Sequence, residues 1–195
     1  MRLFIALDID EAIREKIQLF LHGVSGFAPD ARWVKAESLH ITLKFVGEKP
    51  PEAVAQIKEA LSIVHEAPFE IVFRGFGFFP NPKAARVFWV GIESGPALAT
   101  LASAIDSTMF SCGIAKEDHA FSPHLTLARG GRGSGAPARQ KSDVPNRTFQ
   151  HLQEKLAARP VPEFGTMKAR EFFLYQSQLS PGGSRYTKLE RFPLR

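Results

Sequence analysis

One short pattern, a histidine followed by an apolar residue, a threonine and a leucine, occurs twice in this chain of 195 residues. The copies are His40-Ile41-Thr42-Leu43 and His124-Leu125-Thr126-Leu127, which begin 84 residues apart. Six histidines and seven threonines in a chain of this length predict only about 0.2 histidine-x-threonine pairs by chance. The repetition therefore exceeds what the composition explains.

The residues around each copy alternate between apolar and polar, which is typical of a strand with one buried face. Around the first copy the apolar set is Leu39, Ile41, Leu43 and Phe45, and the polar set is Ser38, His40, Thr42 and Lys44. The alternation predicts that each histidine shares a face with the threonine two residues later. It also predicts that Phe45 belongs to the core and Lys44 to the polar face. By the same parity Arg129 faces away from His124, although Gly130-Gly131 could let the strand twist and bring Arg129 towards a phosphate.

Two histidines in one pocket can perform acid and base catalysis together, because a neutral imidazole accepts a proton and a charged one donates a proton. In-line displacement at phosphorus needs that pair, and the hydroxyls of Thr42 and Thr126 could donate hydrogen bonds to phosphate oxygens. The chain has no His-Glu-x-x-His motif and its one cysteine, Cys112, is isolated. The sequence therefore predicts neither a metal site nor a cofactor.

The charge distribution favours an anionic partner. The net charge is +5, and residues 128–147 carry five basic side chains against Asp143. A solvated basic loop without a function is the open alternative. The single cysteine permits no internal disulfide, and no apolar run approaches the roughly 20 residues that span a bilayer. We expect a cytoplasmic protein without a membrane segment.

Helical and strand patterns are mixed along the chain. Apolar spacing and N-terminal signals predict helices near residues 10–24, 51–64, 96–109 and 146–157. Short apolar runs between glycines and prolines predict further strands at 3–7, 69–73, 86–92, 171–178 and 185–192. The order has a rough twofold repeat, which indicates an α+β fold of two similar lobes in one domain spanning residues 1–195.

The paired motifs, together with Arg32-Trp33-Val34, Lys44-Phe45-Val46-Gly47 and the segment from Leu174 to Tyr186, resemble the two-histidine phosphoesterase superfamily. More narrowly, they resemble its RNA 2′,3′-cyclic phosphodiesterase branch, also called the 2′-5′ RNA ligase family. The resemblance implies a bilobal fold with antiparallel sheets, helices packed outside and a shared central cleft. It implies that each lobe contributes one histidine strand.

The same resemblance implies metal-independent hydrolysis of RNA 2′,3′-cyclic phosphate ends to 2′-phosphates, with tRNA fragments among the possible substrates and no obligate protein partner for a monomer. His40 takes the role of proton donor and His124 that of proton acceptor, while Thr42, Thr126 and Arg129 contact the phosphate. Reversible 2′-5′ ligation would use the same pair, and the basic loop would guide the RNA. Two alternatives stay open: a phosphodiesterase for small cyclic nucleotides or 2′-5′ oligonucleotides, and a module that binds RNA ends without turnover.

Overall fold

The computed structural model describes residues 1–130, 146–180 and 183–195, which form two antiparallel sheets and four α-helices. The strands are β1 (Arg2–Asp8), β2 (Arg32–Trp33), β3 (His40–Glu48), β4 (Phe69–Phe79), β5 (Val87–Glu93), β6 (His124–Arg129), β7 (Glu163–Ala169), β8 (Glu171–Ser180) and β9 (Gly183–Pro193). The helices are α1 (Glu11–Val24), α2 (Ala53–Ser62), α3 (Ala97–Ser111) and α4 (Gln150–Ala157). No helix in these ranges is long and apolar enough to cross a membrane.

Each sheet contributes one histidine strand. The first sheet has the strand order β3-β1-β8-β9 and the second the order β2-β6-β5-β4-β7. His40 is the first residue of β3 and His124 the first residue of β6. The prediction of an α+β fold with two lobes of antiparallel sheet is therefore confirmed.

The helices cross between the lobes. Helix α1 follows β1 of the first sheet, but its Phe20 ring packs against Phe88 of β5 and Phe164 of β7 in the second sheet. Helix α3 follows β5 of the second sheet and packs against β3 of the first. Because each sheet is partly covered by a helix that follows a strand of the other sheet, one continuous apolar core joins the two lobes.

Both histidine strands contain a β-bulge one residue after the threonine. On β3, Thr42 pairs with Ala6 and Lys44 with Ile5, which leaves Leu43 as the extra residue. On β6, Thr126 pairs with Trp89 and Ala128 with Phe88, so that Leu127 is the extra residue. An extra residue reverses the alternation of faces beyond it.

The bulge on β3 makes two sequence predictions wrong. Lys44 turns into the interior and is only 2% exposed, whereas Phe45 turns away from the core and is 46% exposed. Both predictions assumed that the faces alternate without interruption across Leu43, and the bulge breaks that alternation. The bulge on β6 has the matching effect, since it buries Ala128 and turns Arg129 to the face of His124.

The sequence pattern does not predict β2 or β7, and it predicts that β4 ends at residue 73, six residues before the observed end. In β7 the glycine at Gly165, with φ of +110°, lies where the pairing with β4 shifts, so the buried residues do not alternate regularly. Gly75, with φ of +72°, interrupts the pairing of β4 in the same way, and the strand then continues to Phe79. Both differences arise because a left-handed glycine breaks the two-residue period without ending the strand.

Candidate active site

A cleft of about 770 Å³ separates the two sheets and is lined from both sides. The first lobe contributes Arg2, Phe4, His40, Thr42, Phe45, Ser177, Leu179, Ser184 and Tyr186. The second lobe and the segment that follows β2 contribute Arg32, Trp33, Lys35, His124, Thr126 and Arg129. All five residues that the sequence analysis singled out for the site thus meet in one cleft.

The two imidazoles are held in matching ways. The Nδ1 atom of His40 lies 2.8 Å from the carbonyl oxygen of Ser38, and the Nδ1 atom of His124 lies 2.8 Å from the carbonyl oxygen of Ser122. A carbonyl only accepts hydrogen bonds, so each Nδ1 carries a hydrogen and donates it. The Nε2 atom is therefore the nitrogen that each neutral ring leaves available as a proton acceptor.

Aromatic side chains support both rings. His40 lies against Phe4, with 4.9 Å between ring centroids, and meets the edge of Tyr186 at 5.2 Å. His124 meets Phe79 at 5.0 Å with the rings nearly perpendicular. Such packing restricts the ring orientations, and it also withdraws the imidazoles from water.

This environment keeps both imidazoles neutral at pH 7. Burial lowers the pKa of His40 to about 4, and the positive charge of Arg129 adds to that effect. Burial likewise lowers the pKa of His124, again with a contribution from Arg129. Protonation of either ring therefore becomes easier when an anionic ligand offsets the charge of Arg129.

Asp8 distinguishes the two histidines. It is the direct cross-strand partner of His40, and its negative charge acts to raise the pKa of that imidazole. Its carboxylate also accepts hydrogen bonds from Arg14 at 2.7 Å and from Lys188 at 2.6 Å. Burial opposes ionisation of Asp8, but these partners and the Ile9 amide hold its pKa below the usual value. Asp8 thus remains a carboxylate beside His40.

The two threonine hydroxyls are available to a ligand. Thr42 and Thr126 are half-buried and line the cleft on the same face as their histidines. Within the described residues neither hydroxyl forms a hydrogen bond to another protein group. Each can therefore donate to an oxygen of a bound phosphate.

Arg129 also lines the cleft, contrary to strict strand parity. The bulge at Leu127 turns it there, so twist at the following glycines is not needed. Burial lowers the pKa of the guanidinium, and the nearby Arg32 lowers it further. A half-buried cation of this kind suits a phosphate oxygen.

Several cleft residues were missed as functional candidates. The sequence pattern predicts Phe45 in the core. It points to Leu179 and Tyr186 only as parts of the segment that resembles the family, without a role in the site. Leu179 and Tyr186 enter the cleft because β8 and β9 pair beside β1, with Phe4 opposite Tyr175 and Ser177 opposite Tyr186. Only the long-range pairing brings them there. Their own strands do show alternation, but nothing in it indicates which face meets the cleft.

Lys44 lies on the buried face of β3, and its ammonium group binds α3 and the segment between α3 and β6. Its ammonium group lies 2.6 Å from Asp106 of α3, 2.8 Å from the carbonyl oxygen of Ala115 and 3.3 Å from Glu117. The three hydrogens of the ammonium therefore have three acceptors. Asp106 also accepts from the Glu117 amide at 3.2 Å. One buried cation thus fixes the histidine strand of the first lobe to the chain that precedes His124.

Two further expectations from the sequence concern a metal ion and the basic loop. Within residues 1–130, 146–180 and 183–195, no three side chains of the histidine, cysteine, aspartate or glutamate type converge to hold a metal ion. The basic loop, with Arg132, Arg139 and Lys141, lies outside the described residues.

Comparisons with known proteins identify the family of the chain. A family model described as LigT-like phosphoesterase matches residues 7–89. The chain is 38% identical to an RNA 2′,3′-cyclic phosphodiesterase of Archaeoglobus fulgidus, over 98% of this chain and 99% of that protein. It is 32% identical to one of Methanothermobacter thermautotrophicus, over 100% and 99%.

Among solved structures, Escherichia coli LigT complexed with 3′-AMP superposes with a TM-score of 0.76 at 28% identity, covering 99% of this chain and 97% of that one. With near-complete coverage and more than 30% identity to the curated relatives, the chain belongs to the LigT-like phosphoesterase family.

Proposed function

We propose that this protein hydrolyses the 2′,3′-cyclic phosphate ends of RNA to 2′-phosphates, without a metal ion. The observation that carries the proposal is the matched pair of imidazoles in one cleft, each with Nδ1 engaged by a backbone carbonyl and Nε2 left for proton transfer. The relatives named RNA 2′,3′-cyclic phosphodiesterase support the choice of RNA as substrate.

The reaction opens the ring by displacement at phosphorus. His124 accepts a proton from a water molecule as the water oxygen bonds to phosphorus opposite O3′. The bond between phosphorus and O3′ breaks, and His40 donates a proton to that oxygen. The products are a free 3′-hydroxyl and a 2′-phosphate, and each imidazole must exchange one proton with solvent before the next turnover. Each of the two proton transfers typically contributes about 10² to 10⁴ in rate.

Hydrogen-bond donors and a cation surround the place where the phosphate oxygens take up negative charge. Thr42 and Thr126 supply hydroxyls and Arg129 supplies a fixed positive charge. Because these groups come from rigid strands, they need little rearrangement as charge develops on phosphorus. The three residues therefore serve to bind the phosphate and stabilise the transition state.

The carboxylate of Asp8 favours His40 as the proton donor. In the free protein burial lowers the pKa of both imidazoles, but only His40 has a carboxylate among the charges that act on it. A bound phosphate offsets Arg129, which acts on both rings. Asp8 then acts at His40 alone, where it stabilises an imidazolium against the burial that lowers the pKa of that ring to about 4.

The same residues can join RNA ends. With a 5′-hydroxyl in place of water, His124 accepts the proton of that hydroxyl as its oxygen bonds to phosphorus, the bond between phosphorus and O3′ breaks, and His40 protonates O3′. A 2′-5′ linkage thus forms without further machinery, and the reverse of this step, with the two roles exchanged, cleaves a 2′-5′ linkage. Water at high concentration favours hydrolysis.

The test is the position of the product phosphate. A short RNA with a 2′,3′-cyclic phosphate is incubated with the protein in the presence of EDTA, and the product is followed by ³¹P NMR. We expect a 2′-phosphate as the sole product at an undiminished rate with chelator. A 3′-phosphate, or activity that EDTA abolishes and added Zn²⁺ or Mg²⁺ restores, would refute the proposal. Binding of the RNA without turnover at any protein concentration would support a non-catalytic module instead.

A further inference from the structure

Two arginines lie side by side at one end of the cleft. Arg32 begins β2 and is the direct cross-strand partner of Arg129 at the end of β6. Both side chains line the cleft, and within the residues that the structure describes neither forms an ion pair with a carboxylate. Like charges directly opposite each other destabilise a sheet. The pair is therefore unfavourable for the fold alone and suits an anionic ligand.

The terminal phosphate does not account for both charges. A 2′,3′-cyclic phosphate carries one negative charge, and the proposed site already surrounds it with Arg129, two threonine hydroxyls and a protonated histidine. Along β6 the order is His124, Thr126 and Arg129, and Arg32 stands on the neighbouring strand, about 5 Å further away. Arg32 thus extends the positive surface beyond the groups that hold the cyclic phosphate.

Lys35 extends the same surface. It follows Arg32 by three residues, is exposed and lines the cleft. In an RNA chain the next anionic group is the phosphodiester on the 5′ side of the terminal nucleoside, whereas a cyclic mononucleotide has no such group. Positive side chains at this place can therefore distinguish a chain end from a mononucleotide.

We propose that Arg32, assisted by Lys35, binds the internucleotide phosphate 5′ to the terminal nucleoside, so that the protein prefers oligonucleotide ends to cyclic mononucleotides. This inference rests on the proposed function, since it places a second phosphate beside the one that is hydrolysed.

The experiment compares three substrates at fixed ionic strength. The first is adenosine 2′,3′-cyclic phosphate, the second is the dinucleotide ApA with a 2′,3′-cyclic phosphate, and the third is that dinucleotide with an uncharged methylphosphonate linkage. We measure kcat/KM for the wild type, Arg32→Gln and the control Arg170→Gln. Arg170 is exposed and does not line the cleft, so its replacement changes the net charge equally.

For the wild type we expect kcat/KM on the dinucleotide to exceed the values for the other two substrates by about tenfold, as for one charge-assisted hydrogen bond. Arg32→Gln is expected to remove this difference, whereas any effect on the mononucleotide, transmitted through the neighbouring Arg129, should be smaller than the loss on the dinucleotide. Arg170→Gln is expected to preserve it. If the methylphosphonate reacts as well as the phosphodiester in the wild type, there is no internucleotide phosphate site. An equal loss on all three substrates in Arg32→Gln would assign Arg32 to the terminal phosphate or the fold.

These outcomes are separable from failure of the proposed function. If the wild type hydrolyses all three substrates equally well, the proposed reaction stands and the role of Arg32 is refuted. If the wild type hydrolyses none of them, the proposed function itself is refuted, and the inference falls with it.

Discussion

Phe45 and Arg129 occupy equivalent positions on the two histidine strands. Each lies three residues after its threonine, and in each strand a one-residue bulge turns the side chain into the cleft. The same local irregularity thus gives one lobe an exposed aromatic ring and the other a cation. One residue suits a nucleobase and the other a phosphate, which explains how a pseudo-symmetric pair of strands can hold an asymmetric substrate.

Replacing Phe45 is expected to weaken substrate binding. Its exposed ring stands in the cleft beside Phe4, at 6.5 Å between centroids, and can stack on the terminal base. Base stacking on an aromatic ring contributes about 1 to 3 kcal/mol by alanine substitution, so we expect Phe45→Ala to raise KM about tenfold or more.

The matched control is Phe110→Ala, since Phe110 of α3 is 57% exposed but does not line the cleft. We expect this variant to keep the KM of the wild type. A lowered melting temperature with unchanged KM in Phe45→Ala would show that Phe45 only packs against its neighbours.

The pH profile of kcat/KM follows from the depressed pKa values of the two imidazoles. Catalysis requires one ring to be charged and the other neutral, and in the free protein both pKa values lie below 6.5. Above that pH the fraction with one protonated ring decreases, so we expect kcat/KM to decline about tenfold per pH unit. A profile that rises from pH 6.5 to 8 would contradict this electrostatic account.

Arg129 contributes to that depression, and its replacement should move the profile. Arg129→Gln removes a positive charge near both histidines, which raises their pKa values and shifts the descending limb of kcat/KM to higher pH. The same change lowers kcat/KM at its optimum, because a phosphate contact is lost. Arg129→Lys is the control, since it keeps the charge and is expected to keep the position of the limb. If the descending limb of kcat/KM does not shift in Arg129→Gln, the charge of Arg129 does not affect the pKa values of the histidines.

The contribution of the threonine hydroxyls to catalysis can be tested with substitutions that keep the side-chain volume. Thr42→Val and Thr126→Val replace a hydroxyl with a methyl group, and each is expected to reduce kcat about 100-fold, as for loss of one donor to a transition state. Thr42→Ser and Thr126→Ser retain the hydroxyl and should recover most of the rate. Equal losses in the serine and valine variants would mean that the methyl group, and not the hydroxyl, matters at these positions.

Lys44 is expected to matter for both stability and turnover. Lys44→Met leaves Asp106, which is 20% exposed, without its cation, while water screens the more exposed Glu117, so we expect the loss to cost about 1 to 3 kcal/mol. We expect a lower free energy of unfolding in urea and a lower kcat, because β3 and the segment before His124 lose their common anchor. Lys58→Met, which removes a surface ion pair with Glu190, should change neither. An unfolding midpoint unchanged in Lys44→Met would refute the buried role.

The sequence was sufficient for the parts of the site that follow local rules. Alternation before the bulges placed His40 with Thr42 and His124 with Thr126 on one face each, and the rough twofold order of helices and strands indicated two lobes. It was insufficient for Phe45, Lys44 and the orientation of Arg129, because a bulge is fixed by pairing with a neighbouring strand and leaves no signal in its own residues. The crossing of α1 and α3 between the lobes likewise depends on which sheet each helix covers, which helical periodicity does not encode.

The most direct test of the paired-histidine mechanism uses a leaving group that needs no proton. Wild type, His40→Ala and His124→Ala are assayed on an RNA 2′,3′-cyclic phosphate and on its analogue with sulfur in place of O3′, because a thiolate leaves readily without a general acid. Both variants are expected to lose at least about 100-fold in rate on the oxygen substrate. The sulfur substrate should restore most of the rate to His40→Ala and little to His124→Ala. Restoration of His124→Ala alone would reverse the assigned roles, and full activity of either variant on the oxygen substrate would contradict acid and base catalysis by the pair.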